Sequence, residues 1–230
     1  CGKEVSASMT KELSTAQRLL LQKKIHVAGN AYTDGGRRAQ ARFSNGWGGA
    51  IALAHLLGDL PEIALHWWAA QPNGHLLVTA GDDSYALLLA VDEREVGAVA
   101  CIPIGWLVDG KEQALAGALR PLDHLLGCAG AADGLWLSDG GGITPRWQRV
   151  GEQIARLFPL GYGEDEASRQ DPHSYLAAGL AAALTNRRRL NVADPKLERL
   201  LLASLLSPYF WQRNVPPAKM TADFHNLRNY

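Results

Sequence analysis

The chain has 230 residues, 47% of them hydrophobic, and its 23 lysines and arginines balance 23 aspartates and glutamates. This length permits a core in one or two domains, and the balanced charge excludes a global attraction to nucleic acid or to anionic membranes. Its cysteines, Cys1, Cys101 and Cys128, form no Cys-x-x-Cys motif, and its seven histidines show no short ligand spacing. We therefore expect neither disulfides nor a metal site. A cytoplasmic protein is indicated, which reaches the inner face of a membrane only through a partner.

The N-terminal part of the sequence predicts a helix followed by a hairpin. Ser14 and Gln17 have the spacing of a capping box, which predicts that a helix begins there. Residues 25–33 and 38–43 read as two strands, and Asp34-Gly35-Gly36 between them is typical of a hairpin turn.

A helix and another strand come next. Ser44-Asn45-Gly46 opens a helix over residues 47–57, whose small residues permit close packing on a sheet. Residues 63–70 contain two tryptophans and are predicted to form a strand. Pro72-Asn73-Gly74 is a turn signal that leads the chain into its central segment.

The central segment, residues 75–106, reads as three strands joined by two short polar turns. Its middle strand, residues 85–91, is apolar at nearly every position. Such a run predicts that both faces are covered and that the strand lies inside the sheet and not at its edge. The segment therefore predicts a central antiparallel meander, flanked by helices, in an α/β fold with a mixed sheet.

A glycine-rich turn follows the next predicted strand, residues 135–138. The turn, Asp139 to Gly142, precedes a helix for which Thr144 is the predicted N-cap and Pro145 the first residue. A glycine turn before a helix leaves backbone N–H groups free, so we expect this one to be able to hold an anion.

Four further helical or terminal segments complete the prediction. Residues 112–126 form an amphipathic helix that Pro121 is expected to kink or divide. Residues 174–186 form a second helix, and Asp194-Pro195 caps a third. An aromatic tail follows, which we expect to dock on the body or on a partner.

These elements divide the chain into an N-terminal helix and hairpin (1–44), a main lobe (45–206) and a tail (207–230). The first residue is Cys1 and not methionine. We expect a trimmed chain or a native start at Met9, and not a lipidated cysteine, since no signal-peptide pattern accompanies it.

Two segments resemble the second lobe of the actin-like ATPase superfamily, which includes actin, sugar kinases and the seventy-kilodalton chaperones. Residues 77–82, Leu-Val-Thr-Ala-Gly-Asp, resemble its second phosphate loop, and residues 135–145 resemble its adenosine loop. The resemblance implies an actin-like, ribonuclease H-like lobe. It also implies a nucleotide site, with ATP as the possible cofactor, at Thr79, Gly81, Asp82, Asp83, Gly140, Gly141 and Gly142.

This sequence departs from the superfamily pattern at the residues that carry chemistry. Thr79 stands where the superfamily has its catalytic aspartate, and Asp139 stands at the first glycine of the adenosine loop, where its charge would repel a phosphate. Too few residues precede the pattern for a complete first lobe, so that lobe is reduced or absent. The departures favour a non-hydrolysing member, and no catalytic residue is assigned.

Within the superfamily, the chain is similar to the actin-like platform proteins of type IV pili and type II secretion systems, the PilM and GspL types. Residues 175–181, Tyr-Leu-Ala-Ala-Gly-Leu-Ala, followed by Leu190-Asn191-Val192, carry this similarity. Type III pantothenate kinases are the second possibility, echoed by Asn45-Gly46-Trp47 and by residues 100–105.

Three functional hypotheses follow. The first is a non-catalytic assembly or scaffold protein, a pseudo-ATPase of a bacterial pilus, secretion or similar complex, with a protein partner and no nucleic acid. The second is an active small-molecule kinase or ATPase that uses Asp82 or Asp83. The third is a papain-like hydrolase, echoed by His75 and Asp92, although the nucleophile position near Gly48 or Gly49 is empty. Rapid labelling of Cys101 by a thiol probe would support it.

Overall fold

The computed structural model describes residues 12–91, 93–160 and 167–217. Four features named in the sequence analysis lie outside these residues: Cys1, the start at Met9, the acid Asp92 and the end of the tail, 218–230.

The described residues form a mixed α/β fold, which confirms the predicted class. The strands are β1 (Ile25–Val27), β2 (His75–Thr79), β3 (Ser84–Val91) and β4 (Arg94–Pro103). The helices are α1 (Thr15–Lys24), α2 (Gly36–Arg42), α3 (Gly46–Leu56), α4 (Glu62–Ala70), α5 (Trp106–Asp109), α6 (Lys111–Cys128), α7 (Pro145–Leu157), α8 (Pro172–Thr185), α9 (Arg187–Ala193), α10 (Pro195–Ala203) and α11 (Pro208–Asn214).

The four strands form one sheet in the order β1-β2-β4-β3. The strands β1, β2 and β4 are parallel, with Ile25 opposite Leu76 and His75 opposite Val99. Only β3 is antiparallel, and it pairs with β4 so that Ser84 lies opposite Cys101. The carboxyl ends of the three parallel strands therefore meet at one end of the sheet.

The predicted antiparallel meander is wrong in its topology. The strand β4 lies between β2 and β3, so β2 has a parallel neighbour and β3 is at the sheet edge. Ala98, Val99 and Ala100 of β4 are fully buried, as its position between two strands requires. In β3, by contrast, Leu87 is 43% and Leu88 63% exposed. The apolar run of β3 indicated burial because composition alone does not show which strand has a neighbour on both sides.

Three segments predicted as strands, residues 38–43, 63–70 and 135–138, contain no strand, and a fourth is shorter than predicted. Residues 25–33 form a strand only as far as Val27, and residues 38–43 lie largely in α2, so the hairpin is absent. Gly36, with a left-handed φ of 82°, is the first residue of α2, so the Gly-Gly turn opens a helix. Residues 63–70 form α4, because its alanines and leucine favour helix more strongly than its tryptophans favour strand.

The segment 135–138, the third strand predicted in error, has no strand structure. Its backbone bonds to α6 instead of to a neighbouring strand. The Leu137 amide donates to the Asp123 carbonyl at 3.3 Å, and the Ser138 amide donates to the Asp123 side chain at 2.9 Å. The helix against which it lies was predicted correctly, except that α6 runs unbroken through Pro121.

Four predicted helix starts are confirmed and have side-chain caps, whereas α8 begins at Pro172 with Asp171 as its cap, two residues before its predicted start. Ser14 and Gln17 form both bonds of the capping box. Asn45 caps α3, Thr144 caps α7 with Pro145 as the first residue, and Asp194 caps α10. These caps act over three residues, so the local sequence is sufficient to predict them.

One hydrophobic core joins the helices to one face of the sheet. From the strands it includes Leu76, Val78, Ala100 and Ile102. Leu77, Val99 and Cys101, which alternate with them on the other face, are not part of it. The core also includes residues from each of the three predicted segments, for example Leu20, Leu122 and Trp211.

The described part of the C-terminal tail packs on the body through a group of three tryptophans. The ring of Trp211 in α11 lies 5.7 Å from that of Trp67 in α4 and 4.8 Å from that of Trp147 in α7. The indole N–H of Trp67 donates to the Pro216 carbonyl at 3.1 Å. The end of the described chain is thus fixed to α4 and α7.

Candidate functional site

The first predicted nucleotide turn, Thr79 to Asp83, lies at the carboxyl end of β2. The Thr79 hydroxyl accepts a hydrogen bond from the Gly81 amide at 3.1 Å, and Asp82 is exposed. The Asp83 carboxylate forms an ion pair with Arg120 of α6 at 2.9 Å. Burial raises the pKa of Asp83, and Arg120 opposes that shift. Its second oxygen is buried and has no hydrogen-bond partner in the structure.

The second predicted turn, Gly140 to Gly142, uses backbone amides that we expected to be free. The Gly140 amide donates to the Leu137 carbonyl at 3.1 Å, and the Gly141 amide donates to the Trp136 carbonyl at 2.8 Å. A Cβ atom at position 141 would lie 2.1 Å from the Leu135 carbonyl oxygen. The glycine is therefore required for close backbone packing, and the expectation of free N–H groups is wrong for residues 140 and 141.

The two turns attach to neighbouring parts of helix α6. Asp83 bonds to Arg120, whereas Ser138, at the start of the second turn, bonds to Asp123. These two anchor residues are separated by about 4.5 Å along the helix axis. The α-carbon of Gly140, however, faces Ala155 of α7. Nucleotide binding by the seven residues stays a prediction.

A group of rings that the sequence analysis did not predict lies around His124, the residue that follows Asp123 in α6. We call it the α6 aromatic cluster: Tyr85, His124, Trp136, His173 and Asp139. The Trp136 ring is stacked between His124, at 4.5 Å and 12°, and His173, at 4.1 Å and 18°. Tyr85 meets the Trp136 ring edge-on at 4.8 Å. Four separate segments of the chain therefore meet at this cluster.

Hydrogen bonds determine the proton positions in the cluster. Nε2 of His124 lies 2.9 Å from the Ala131 carbonyl, which can only accept, so Nε2 carries the proton. Nδ1 of His124 then accepts from the Tyr85 hydroxyl at 2.7 Å. Burial lowers the pKa of His124 and raises that of Tyr85, so both rings are neutral near pH 7. His173 binds Asp139 at 2.8 Å.

Asp123 anchors the loop beside this cluster. It is 1% exposed and accepts hydrogen bonds from the Ser138 amide at 2.9 Å and the Ser138 hydroxyl at 2.7 Å. Burial raises the pKa of Asp123 to about 7, and the two hydrogen bonds from Ser138 reduce this shift. One sequence signal was available: Asp123-His124 is a polar pair within the apolar stretch of α6.

A cavity of about 320 Å³ lies at the carboxyl end of β1, beside the start of α3. Next to it, Nε2 of His26 lies 3.0 Å from Nδ1 of His75, and Nε2 of His75 lies 2.9 Å from the Pro72 carbonyl. Burial first, and Lys24 second, lower the pKa of His75 to about 4. His75 is therefore neutral, donates to Pro72 and accepts from His26. The cavity is lined by His26, Ala28, Gly29, Tyr32, Gly46 and Trp47.

The hydrogen bonds of His75 also bear on the hydrolase hypothesis. Both ring nitrogens are engaged, one with Pro72 and one with His26. Cys101 lies opposite Leu77 in the sheet, whereas His75 lies opposite Val99. In this arrangement, His75 has no ring nitrogen available to take a proton from Cys101.

Comparisons with protein families, with curated proteins and with solved structures found no match. The resemblance to the actin-like superfamily thus stays a prediction. Across the described ranges, no helix has the length and apolar character that crossing a membrane requires. Within the same ranges, no group of three or more His, Cys, Asp or Glu side chains is placed to hold a metal ion.

Proposed function

We propose that this protein is a non-catalytic assembly protein that joins another chain, strand to strand, through the free edge of β3. One observation carries the proposal: within the described residues β3 pairs only with β4, and its exposed Leu87 and Leu88 lie on an edge strand. Natural edge strands are normally protected by charges, proline or a covering element. The sequence from Ser84 to Val91 contains neither a charge nor a proline.

A second copy of this chain is the partner that the sequence of β3 fits. Residues 86–90 read Ala-Leu-Leu-Leu-Ala, which is the same in both directions. Antiparallel pairing about Leu88 places Leu88 opposite its own copy and Leu87 opposite Leu89. A two-fold axis then relates the copies, as in most homodimers, and two four-stranded sheets become one.

The residues of the two predicted nucleotide turns support the non-catalytic part of the proposal. Thr79 occupies the position where the resemblance requires an acid, and the Gly140 and Gly141 amides donate to the Leu137 and Trp136 carbonyls. A role as an actin-like pseudo-ATPase platform in a pilus or secretion complex belongs to the same proposal. It is supported only by the motifs at residues 77–82, 135–145 and 175–181.

Sedimentation equilibrium of the full chain tests the proposal. We expect the wild-type protein to form a dimer and Leu88→Lys to be monomeric, because two lysines would meet at the two-fold axis. The matched control is Val192→Lys, which changes another exposed apolar residue, 80% exposed on α9. A monomeric wild type at every soluble concentration would contradict pairing with itself, as would a dimer that survives Leu88→Lys.

A cysteine scan of β3 tests the register. In a chain whose native cysteines are replaced by serine, Leu88→Cys should form a disulfide-linked dimer on mild oxidation. Leu87→Cys should not, because its counterpart lies opposite Leu89. Equal cross-linking by both variants would overturn the proposed register.

A further inference from the structure

The cavity at the end of β1 has the position and size of a small-molecule site. It lies at the carboxyl end of a parallel strand, the place where open α/β sheets bind ligands. Its volume of about 320 Å³ is at the lower end of the usual range for ligand pockets. A molecule with one ring matches this volume. Nothing in this region belongs to β3, so the inference does not depend on the proposed function.

Aromatic side chains make up much of the wall. Tyr32 and Trp47 both line the cavity, and Trp47 is 55% exposed although it is the largest side chain in α3. Gly46 lets the start of α3 approach β1, since a Cβ atom there would lie 2.6 Å from the Val27 side chain. Tryptophan and tyrosine at a cavity bind planar rings, because stacked or edge-on ring pairs gain energy beyond simple burial.

His26 adds a polar group that is already oriented. Its Nε2 donates to His75, which in turn donates to the Pro72 carbonyl, so rotation of the His26 ring would break a two-step chain of hydrogen bonds. A fixed ring does not have to be ordered when a ligand binds, which lowers the entropic cost of binding. We propose that this cavity is a binding site for a small planar aromatic molecule.

Gly29 offers a way to fill the cavity without disturbing the fold. A Cβ atom at position 29 would have no atom within 4 Å, and Gly29 is not among the glycines with positive φ. Gly29→Leu should therefore fold and occupy the cavity. Gly105, on the turn after β4, has the same two properties and does not line the cavity. Gly105→Leu is thus the matched control.

The test is an NMR titration of the full chain with benzamide and with cyclohexanecarboxamide, its non-aromatic counterpart. The indole N–H signal of Trp47, assigned with Trp47→Phe, should shift with saturation, together with the amides of Gly29 and Gly46. Benzamide should bind about tenfold more tightly than cyclohexanecarboxamide, as expected from one ring contact. Gly29→Leu should abolish the shifts, and Gly105→Leu should keep them.

Three outcomes would overturn the proposal. Benzamide could leave the Trp47, Gly29 and Gly46 signals unshifted. It could bind Gly29→Leu as it binds the wild type, or the two amides could bind equally. In the last case the cavity would not select a planar ring.

Discussion

His124 and His75 have the same hydrogen-bond pattern in two different regions. Each ring donates from Nε2 to a backbone carbonyl, of Ala131 or Pro72, at 2.9 Å. Each accepts at Nδ1, His124 from Tyr85 and His75 from His26. Burial lowers the pKa of both. The regions differ in what lies beside them: Trp136 stacks on His124, whereas a cavity lies beside His26.

The difference teaches that a buried, hydrogen-bonded histidine does not by itself indicate function. In the α6 aromatic cluster the neighbouring space is filled by the chain's own indole, so we expect that region to serve stability. At the end of β1 the same chemistry faces unfilled space, so a ligand can take the place that Trp136 takes in the cluster. The following predictions test this contrast.

The largest effect should come from Asp123, next to His124. Its folded pKa of about 7 lies above the unfolded value of 3.8, so its contribution to stability is complete below pH 3.8 and is lost as the pH rises through 7. The loss is on the order of 4 kcal/mol. Urea unfolding between pH 4 and 8 should show this slope in the wild type and lose it in Asp123→Asn, whose carbonyl can still accept from the Ser138 amide and whose NH2 group can donate to the Ser138 hydroxyl. If the free energy of unfolding depends on pH equally in both proteins, Asp123 is not the group responsible.

The next largest effect on stability should come from Trp136→Ala. Removal of a ring stacked on both His124 and His173 should lower the free energy of unfolding by about 3 kcal/mol. Urea denaturation at constant pH measures this loss. A loss below about 1 kcal/mol would show that the cluster does not stabilise the fold, and the contrast would fail.

His75 should give a slope of opposite sign. Its folded pKa of about 4 lies below the unfolded value of 6.5, so its contribution is complete above pH 6.5 and is lost as the pH falls towards 4. His75→Gln can still donate to the Pro72 carbonyl, and it should remove this loss in the same urea series. If acidification weakens the variant as much as the wild type, His75 is not the group responsible.

The smallest effect on stability should come from Trp47→Ala. Because Trp47 is 55% exposed, we expect a change below about 0.5 kcal/mol, although the variant should lose benzamide binding. Trp47→Ala and Trp136→Ala make the same substitution in the two regions, so their losses of stability can be compared directly. A cost for Trp47→Ala equal to that of Trp136→Ala would remove the distinction between the filled region and the open one.

Local sequence was sufficient to predict where many helices begin, but not the order of the strands. The caps at Ser14, Asn45 and Thr144 act within three residues, and the structure contains all of them. The position of β4 between β2 and β3 depends on pairing between distant segments. Because β3 and β4 are both apolar, nothing in their composition showed that β3 would be the edge.

The candidate sites were harder to predict for the same reason. Asp123-His124 is visible in the sequence as a polar pair within an apolar helix, yet its partners Tyr85, Trp136 and Ser138 come from other segments. The glycines of residues 140–142 were interpreted as an anion site. The structure shows instead that Gly141 permits backbone contact with Leu135. A glycine required for packing and one required for a ligand look alike in sequence.

The docking of Trp211 affects how the protein acquires its structure during synthesis. Trp67 lies in α4, but the ring that packs against it belongs to Trp211, and the carbonyl that accepts its N–H belongs to Pro216. On the ribosome, α4 must therefore wait with an uncovered indole while most of the chain is translated. Exposed hydrophobic surface makes an incomplete chain prone to aggregation, and we expect a product truncated before residue 208 to keep the Trp67 surface exposed after release.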